Sequence, residues 1–348
     1  MNYTISRPQT IGGFGAVSQK SLVLPTEARM YIVAACAFLV VLQSSLSDDF
    51  SSMWVALAAV LAALLTEALI CLVTGRRTIY DGSVIVTALV LAMLLPNRIH
   101  PGFAVFGAAF AIAVVRYPSG GLGSNWLNPA LGGALAVRFS WTKIWQTSLE
   151  TAPLDPVSYP PVASGLSANG EAMSEFLNEH VFALFEVRLP PTYVDLFTLP
   201  SAGIIADRGI FALIVGSVII VSCVTFRGWM PFLYLAAYLF LVRIAGMGVQ
   251  EADGDMFYAL CSGGTLVTAF YLLSDPVTGS KSNAGSVIYV LAAAVLTFVF
   301  RFLHMEFYGA FFAIALLNTM LPILRVLERR ILYERRISKE ELKKWRLW

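Results

Sequence analysis

Charge is what this sequence has least of. Only 13% of its 348 residues are Asp, Glu, Lys or Arg, against 57% hydrophobic, and the mean hydropathy of +0.72 exceeds what a water-soluble domain tolerates. That balance excludes a soluble enzyme and describes a polytopic membrane protein. Histidine is scarcer still. His100, His180 and His304 all fall in or beside expected loops, which argues against a haem held between two helical histidines. The four cysteines, Cys36, Cys71, Cys223 and Cys261, stand singly in apolar runs, with no CxxC and no partner at metal-ligand spacing. They read as buried structural thiols rather than iron–sulfur ligands. No basic, apolar, small-residue leader opens the chain, and residues 1–29 read as an uncleaved polar arm. The runs "GGFGAV" and "GGLGSN" do not follow a strand in a βαβ unit, so they are not dinucleotide loops. A net charge of +2 carries no nucleic-acid signal, because the basic residues are distributed by topology rather than gathered on one face.

What is abundant is apolar runs of the length a bilayer requires, about 20 residues for a helix. Helices are expected near 30–46, 52–74, 81–96, 101–116 and 127–142, then 209–226, 230–247, 256–274, 284–303 and 307–326. The chain therefore reads as an all-α membrane protein of about ten spans. A cytoplasmic arm (1–29) precedes a first five-helix unit (30–142), an extracytoplasmic loop (143–208), a second five-helix unit (209–326) and a basic cytoplasmic tail (327–348). Orientation follows from Lys and Arg. With the N-terminus inside, Arg29, Arg76, Arg77, Arg116, Arg227 and the tail "RVLERRILYERRISKEELKKWRLW" are cytoplasmic, while the acidic loops "SLSDDFSS" and "GVQEADGD" fall outside. The tail reads as a helix lying on anionic lipid or as a docking site for a cytoplasmic partner.

The two halves echo one another. "DGSVIVTALVLAMLLP" (81–96) aligns with "SGGTLVTAFYLLSDPVTGS" (262–280) without gaps, matching Gly82 with Gly263, Val86 with Val267, Thr87 with Thr268, Ala88 with Ala269 and Leu91 with Leu272. Each stretch is the third helix of its half, and an odd number of spans per half makes the halves run in opposite directions. Such an inverted-topology repeat commonly hosts a ligand at its midplane, between interrupted helices. Asp81 stands at the start of its helix, where a carboxylate is a favourable cap. Asp275 stands at the end of its helix, where the dipole opposes an anion, so it needs a cation, a hydrogen-bond donor or water. Glu67, Arg138 and Arg243 lie deeper in their spans.

These motifs resemble a known family. "SGGTLVTAFYLLSDPVTGS" resembles the SGAT-x-x-x-A-F-F-x-x-TDPVT segment of the RnfD and NqrB subunits, the membrane flavoproteins of ferredoxin:NAD oxidoreductase and of the sodium-pumping NADH:quinone oxidoreductase. "DGSVIVTALVLAMLLP" is similar to their first-half DGSALLTALLLGLALP-like stretch. "GGLGSNWLNPALGGALAVRFSW" (120–141) looks like their GGLGxNxFNPA segment, and "FYGAFFAIALLNTMLPIL" like their last helix. The resemblance spans about residues 30–326, and the length is closer to RnfD.

The resemblance implies electron transfer within a bacterial or archaeal cytoplasmic membrane, in an assembly with other membrane and extracytoplasmic subunits of an Rnf or Nqr type. NAD and ferredoxin would meet those other subunits. It also implies two flavins. One is FMN joined by a phosphoester to a Thr in an S-[GQ]-A-T motif after the fifth helix. Here that loop holds Ser164-Gly165-Leu166-Ser167, so Ser167 is the acceptor candidate, although Leu replaces a small residue and the nearest upstream acid, Asp155, is too far. The alternative for "LDPVSYPPVASGLSANG" is a Gly/Ser/Pro-rich connection. The second flavin, riboflavin or FMN, is noncovalent. Its expected partners are Asp81, Gly82, Ser83 and Thr87 from one repeat helix, Gly264, Thr265 and Thr268 from the other, and Asn125 and Asn128 from "SNWLNPA". Hydroxyls suit a ribityl chain and glycines let backbone approach a flat ring, yet small residues also serve close helix packing in lipid. Asp275 is the candidate for orienting the flavin or gating an ion. A member without flavin, acting as a transport or scaffolding protein, is the competing reading. Sodium and proton are equally compatible with these residues.

Overall fold

The computed structural model describes residues 25–46, 50–75, 81–120, 124–150, 179, 203–224, 227–248, 256–275, 278–279, 282–302, 308–323 and 325–326. Within them the secondary structure is helical, apart from a single bridge between Pro96 and Ile204. The elements are α1 (Thr26–Leu46), α2 (Ser51–Thr74), α3 (Ser83–Leu94), α4 (Pro101–Arg116), α5 (Pro129–Ser140), α6 (Thr142–Glu150), α7 (Ile205–Arg208), α8 (Ile210–Cys223), α9 (Trp229–Gly248), α10 (Met256–Cys261), α11 (Thr265–Leu272), α12 (Asn283–Phe302) and α13 (Gly309–Ile323). Three of them, α1, α2 and α12, are long and apolar enough to cross a membrane, and α3, α4, α8, α9 and α13 are shorter apolar helices. Ser167 lies outside the described residues.

α3 is central and short for physical reasons. Asp81 accepts the Ser83 amide at its start, after a left-handed Gly82 (φ 71°) that serves as the N-cap. At its end Leu95 is extended (φ −84°, ψ 153°), as a residue before proline must be. Twelve residues rise about 18 Å, well under the roughly 30 Å of hydrocarbon, so α3 is enclosed by longer neighbours rather than spanning alone. Its run from Ala88 to Leu95 is buried on every side. α1 and α2 both pack on it, α2 also packs on α4, α4 on α5, α1 on α8, and α9 on α12.

Close packing of α4 and α5 depends on two glycines. A Cβ on Gly133 would come within 2.4 Å of the Gly107 carbonyl oxygen, and one on Gly107 within 3.3 Å of the Gly133 oxygen. α5 starts sharply because Asn128 Oδ1 accepts the amides of Ala130 and Leu131 and Pro129 occupies the first turn, where it needs no amide partner.

The stretch 256–274, expected as one helix, is two. α10 stops at Cys261, and Gly263 (φ 63°) and Gly264 (φ 67°) turn the chain through two successive left-handed residues before α11 resumes. From Thr268 to Leu272 the helix widens to π geometry, as α4 does from Ala111 to Arg116.

Candidate functional site

The ends of these short and broken helices enclose a cavity of about 380 Å³. Its walls are Thr26, Arg29, Met30 and Val33 of α1, Ser83, Val86, Thr87 and Val90 of α3, Arg116 of α4, and Ile220 and Val224 at the end of α8. Asn125, Asn128, Pro129 and Ala130 close it beside α5, and Phe270, Tyr271, Ser274 and Asp275 close it along and beyond α11. Both π segments contribute to the lining, in keeping with the frequent use of such widenings at functional sites.

Two polar groups flank the apolar walls. In the first, Arg116 donates to Ser83 Oγ at 2.7 Å and pairs with Asp81 Oδ2 at 3.6 Å, while Asp81 Oδ1 accepts from Ser83 Oγ at 2.6 Å and from its amide at 3.0 Å. Asp81 therefore reaches the cavity through Ser83 and Arg116 rather than lining it. In the second, Asn128 Nδ2 and Thr278 Oγ1 each donate to Asp275 Oδ2 at 3.1 Å. The carboxylate at the unfavourable helix end has the donors its position demands. One side chain serves both needs: Asn128 caps α5 with its oxygen and holds Asp275 with its nitrogen.

Some polar atoms here have no partner among the described residues. Asn125 Oδ1 and the Tyr271 hydroxyl are buried without a hydrogen bond, and both residues line the cavity. Thr87, by contrast, returns its hydroxyl to the Ser83 carbonyl at 2.9 Å. An apolar slot with amide, hydroxyl and guanidinium groups at its polar margins can take a flat ligand whose edge carries hydrogen-bonding atoms, and its size lies within the range of small-molecule sites.

Of the residues singled out in the sequence, Ser83, Thr87, Asn125, Asn128 and Asp275 share this cavity, with Asp81 bonded to its margin. Gly82 caps α3 beside the Tyr31 ring, where an added Cβ would meet it at 3.2 Å. Thr268 is fully buried on α11 outside the lining, its hydroxyl unpartnered among the described residues. Gly264 and Thr265 lie at the opposite end of α11, in the break. There the Gly264 amide donates to Asp207 Oδ1 at 3.0 Å, and Arg301 reaches the Thr265 hydroxyl at 2.9 Å. Arg29, Arg116, Asp207 and Arg301 were not among the candidate site residues. For Arg301 the available signal was an arginine in the last turn of an apolar span, since an ionisable group there is a functional pointer in itself.

Elsewhere, Glu67 of α2 accepts from the Tyr117 hydroxyl, just past α4, at 3.0 Å, and Arg138 donates to the Tyr308 hydroxyl at 3.3 Å and stacks over that ring at 4.7 Å. None of the four cysteines forms a disulfide; Cys36 and Cys261 are buried as expected, whereas Cys71 is half-buried and Cys223 exposed.

The sequence model of the NQR2, RnfD, RnfE family matches residues 21–333. Over 285 residues the chain is 28% identical to the protein lettered D in the Na+-translocating ferredoxin:NAD+ oxidoreductase complex of Acetobacterium woodii, covering 81% of this chain and 82% of that one. It is 26% identical over 275 residues to the protein of the same letter in the proton-translocating ferredoxin:NAD+ oxidoreductase complex of Clostridium ljungdahlii, covering 78% and 80% of the two chains. Against the corresponding protein of the ion-translocating oxidoreductase complex of Aeromonas hydrophila it is 26% identical over 336 residues, 87% of this chain and 93% of the relative. A match across so much of the sequence identifies the chain as a member of the NQR2, RnfD, RnfE family.

Proposed function

We propose that this chain is the RnfD component of an ion-translocating ferredoxin:NAD+ oxidoreductase complex, embedded in a bacterial or archaeal cytoplasmic membrane with both termini in the cytoplasm. It acts as part of that assembly, and NAD+ and ferredoxin meet other subunits. Relatives of nearly equal identity carry names for sodium and for proton translocation, so similarity does not select the ion.

The cavity between α1, α3, α5, α8 and α11 is the site of a noncovalent flavin in this reading. The observation that carries it is the convergence of Ser83, Thr87, Asn125, Asn128 and Asp275, from segments far apart in sequence, on one apolar slot. The fit is chemical as well as spatial. The unpartnered Asn125 Oδ1 is an acceptor for an imide N–H, while Arg116 and the asparagine amides are donors for ring carbonyls. A flavin bound there would supply one- and two-electron exchange. The chain's own residues hold and orient it. The aliphatic walls exclude water, Arg116 and Asp81 fix one margin, and Asn128 and Thr278 hold the Asp275 carboxylate at the other. The first residue of α3 and the residues just beyond α11 line the same cavity, so the two helices enter it by opposite ends, which supports the inverted repeat. Covalent FMN on Ser167 is a separate part of the proposal and rests on the loop motif alone.

Purified complex tests both parts. A native absorption spectrum with flavin bands, and riboflavin or FMN released on denaturation, are expected. A fluorescent band for this chain on a denaturing gel is expected if Ser167 carries FMN. A dark band with released flavin discards Ser167 alone. Absence of any flavin attributable to this chain favours the scaffold or transport reading instead.

A further inference from the structure

The break between α10 and α11 is closed by charge. Arg301, from the last turn of α12, points its guanidinium at the end of α10. Nη1 lies 2.9 Å from the Ala259 carbonyl oxygen, 3.2 Å from that of Ser262, 2.9 Å from Thr265 Oγ1 and 2.7 Å from the Tyr238 hydroxyl. Nη2 donates to Ser262 Oγ at 2.7 Å. On the other side of the turn the Asp207 carboxylate accepts the Gly264 amide, at 3.0 and 3.3 Å to its two oxygens. α7, which carries Asp207, is tied by the Ile205 amide to the Leu95 carbonyl at the end of α3, at 2.9 Å. An interrupted helix within a bilayer leaves carbonyl and amide groups that neither water nor lipid can satisfy. In such breaks a bound cation can serve the carbonyl end. Here the oxygens are met by a side chain.

We propose that Arg301 is a positioning residue, a tethered cation that fills the carbonyl-lined end of α10 and thereby fixes the α11 wall of the cavity. The guanidinium suits this task because its planar fork offers five donors in fixed directions, enough to meet several oxygens at once. A lysine ammonium could meet the oxygens gathered around Nη1, but from that one point it cannot also reach the Ser262 Oγ that Nη2 serves. Asp207 is its counterpart, capping the amide end. The break is then rigid in this state, and the carbonyl oxygens that could hold a free cation are occupied. This rests on the proposed function only for the assay, since the clamp itself is a property of this chain.

The test compares Arg301→Ala and Arg301→Lys in the intact complex, reading ferredoxin-dependent NAD+ reduction with and without millimolar guanidinium. The expected result is a loss of at least about tenfold in Arg301→Ala and a smaller but measurable loss in Arg301→Lys. Guanidinium should restore Arg301→Ala and leave unchanged both wild type and a variant destabilised away from the break, Gly133→Ala in the α4–α5 contact. A merely structural role would not give that selective rescue. Full activity of Arg301→Ala, or rate and stability equal to wild type in Arg301→Lys, overturns the proposal. So does an Arg301→Ala complex that assembles, loses activity and is not rescued. If Arg301→Ala fails to assemble, Arg301→Lys decides by the same criterion. If the wild-type complex reduces no NAD+, the functional reading fails, and the clamp is read instead by selective guanidinium protection of Arg301→Ala against thermal unfolding.

Discussion

The two ends of α11 solve opposite problems. At the Thr265 end the chain is pinned by side chains from two other elements, Asp207 and Arg301, and Gly264 is so tightly enclosed that a Cβ would sit 2.6 Å from the Phe311 ring. At the Asp275 end, Asn128 and Thr278 donate to a carboxylate beside open space. One end is closed, and the other borders the cavity. The contrast shows how a helix of eight residues can present a fixed wall to a cavity: one end is held by side chains of other elements, and at the cavity Asn125 Oδ1 and the Tyr271 hydroxyl have no partner among the described residues.

Substitutions can break this contrast from either side. The largest effect is expected from Gly264→Ala. The left-handed backbone at φ 67° and the clash with Phe311 each cost about 1–3 kcal/mol, enough to reduce accumulation of the folded chain in membranes, measured by immunoblot and thermal stability in detergent. Asn128→Ala comes next. It removes the α5 cap, worth about 1 kcal/mol, and one donor to Asp275. Released noncovalent flavin per complex should fall several-fold while the complex still assembles, which quantitative chromatography of extracted flavin would check. Asp275→Asn preserves shape and removes charge. Ferredoxin-dependent turnover should fall more than assembly or flavin content, and an unchanged rate at normal flavin content would remove Asp275 from any orienting or gating role. The smallest effect on the cavity is expected from Ser167→Ala, which should abolish fluorescence of the denatured chain and leave noncovalent flavin intact.

Much of the cavity was legible in the sequence because its residues sit in short motifs with their own local chemistry. "DGS" carries a cap for α3, "NP" a cap and first turn for α5, and "SDP" a carboxylate at a helix end, so Asp81, Ser83, Asn128 and Asp275 could be named from composition, position and resemblance. The closed end was harder to read. Arg301 and Ser262 are 39 positions apart, and Asp207 and Gly264 are 57 apart, with nothing local to mark either contact. Gly264 and Thr265 belong to the same motif as Asp275. Yet Thr265 is ten positions from Asp275, at the other end of α11, in the break rather than the cavity lining. The break itself was hidden by hydropathy, since an apolar run with two glycines reads as a continuous span until the backbone turns.

The central claim is that this cavity holds a noncovalent flavin, and filling it tests that most directly. Thr87 lines the slot from α3, and Thr87→Trp would place an indole in the space. Flavin extracted from the denatured complex should be lower in Thr87→Trp than in wild type by a full equivalent, with subunit composition unchanged. Equal extracted flavin from an intact Thr87→Trp complex would contradict the account, because the flavin would then lie elsewhere in the assembly.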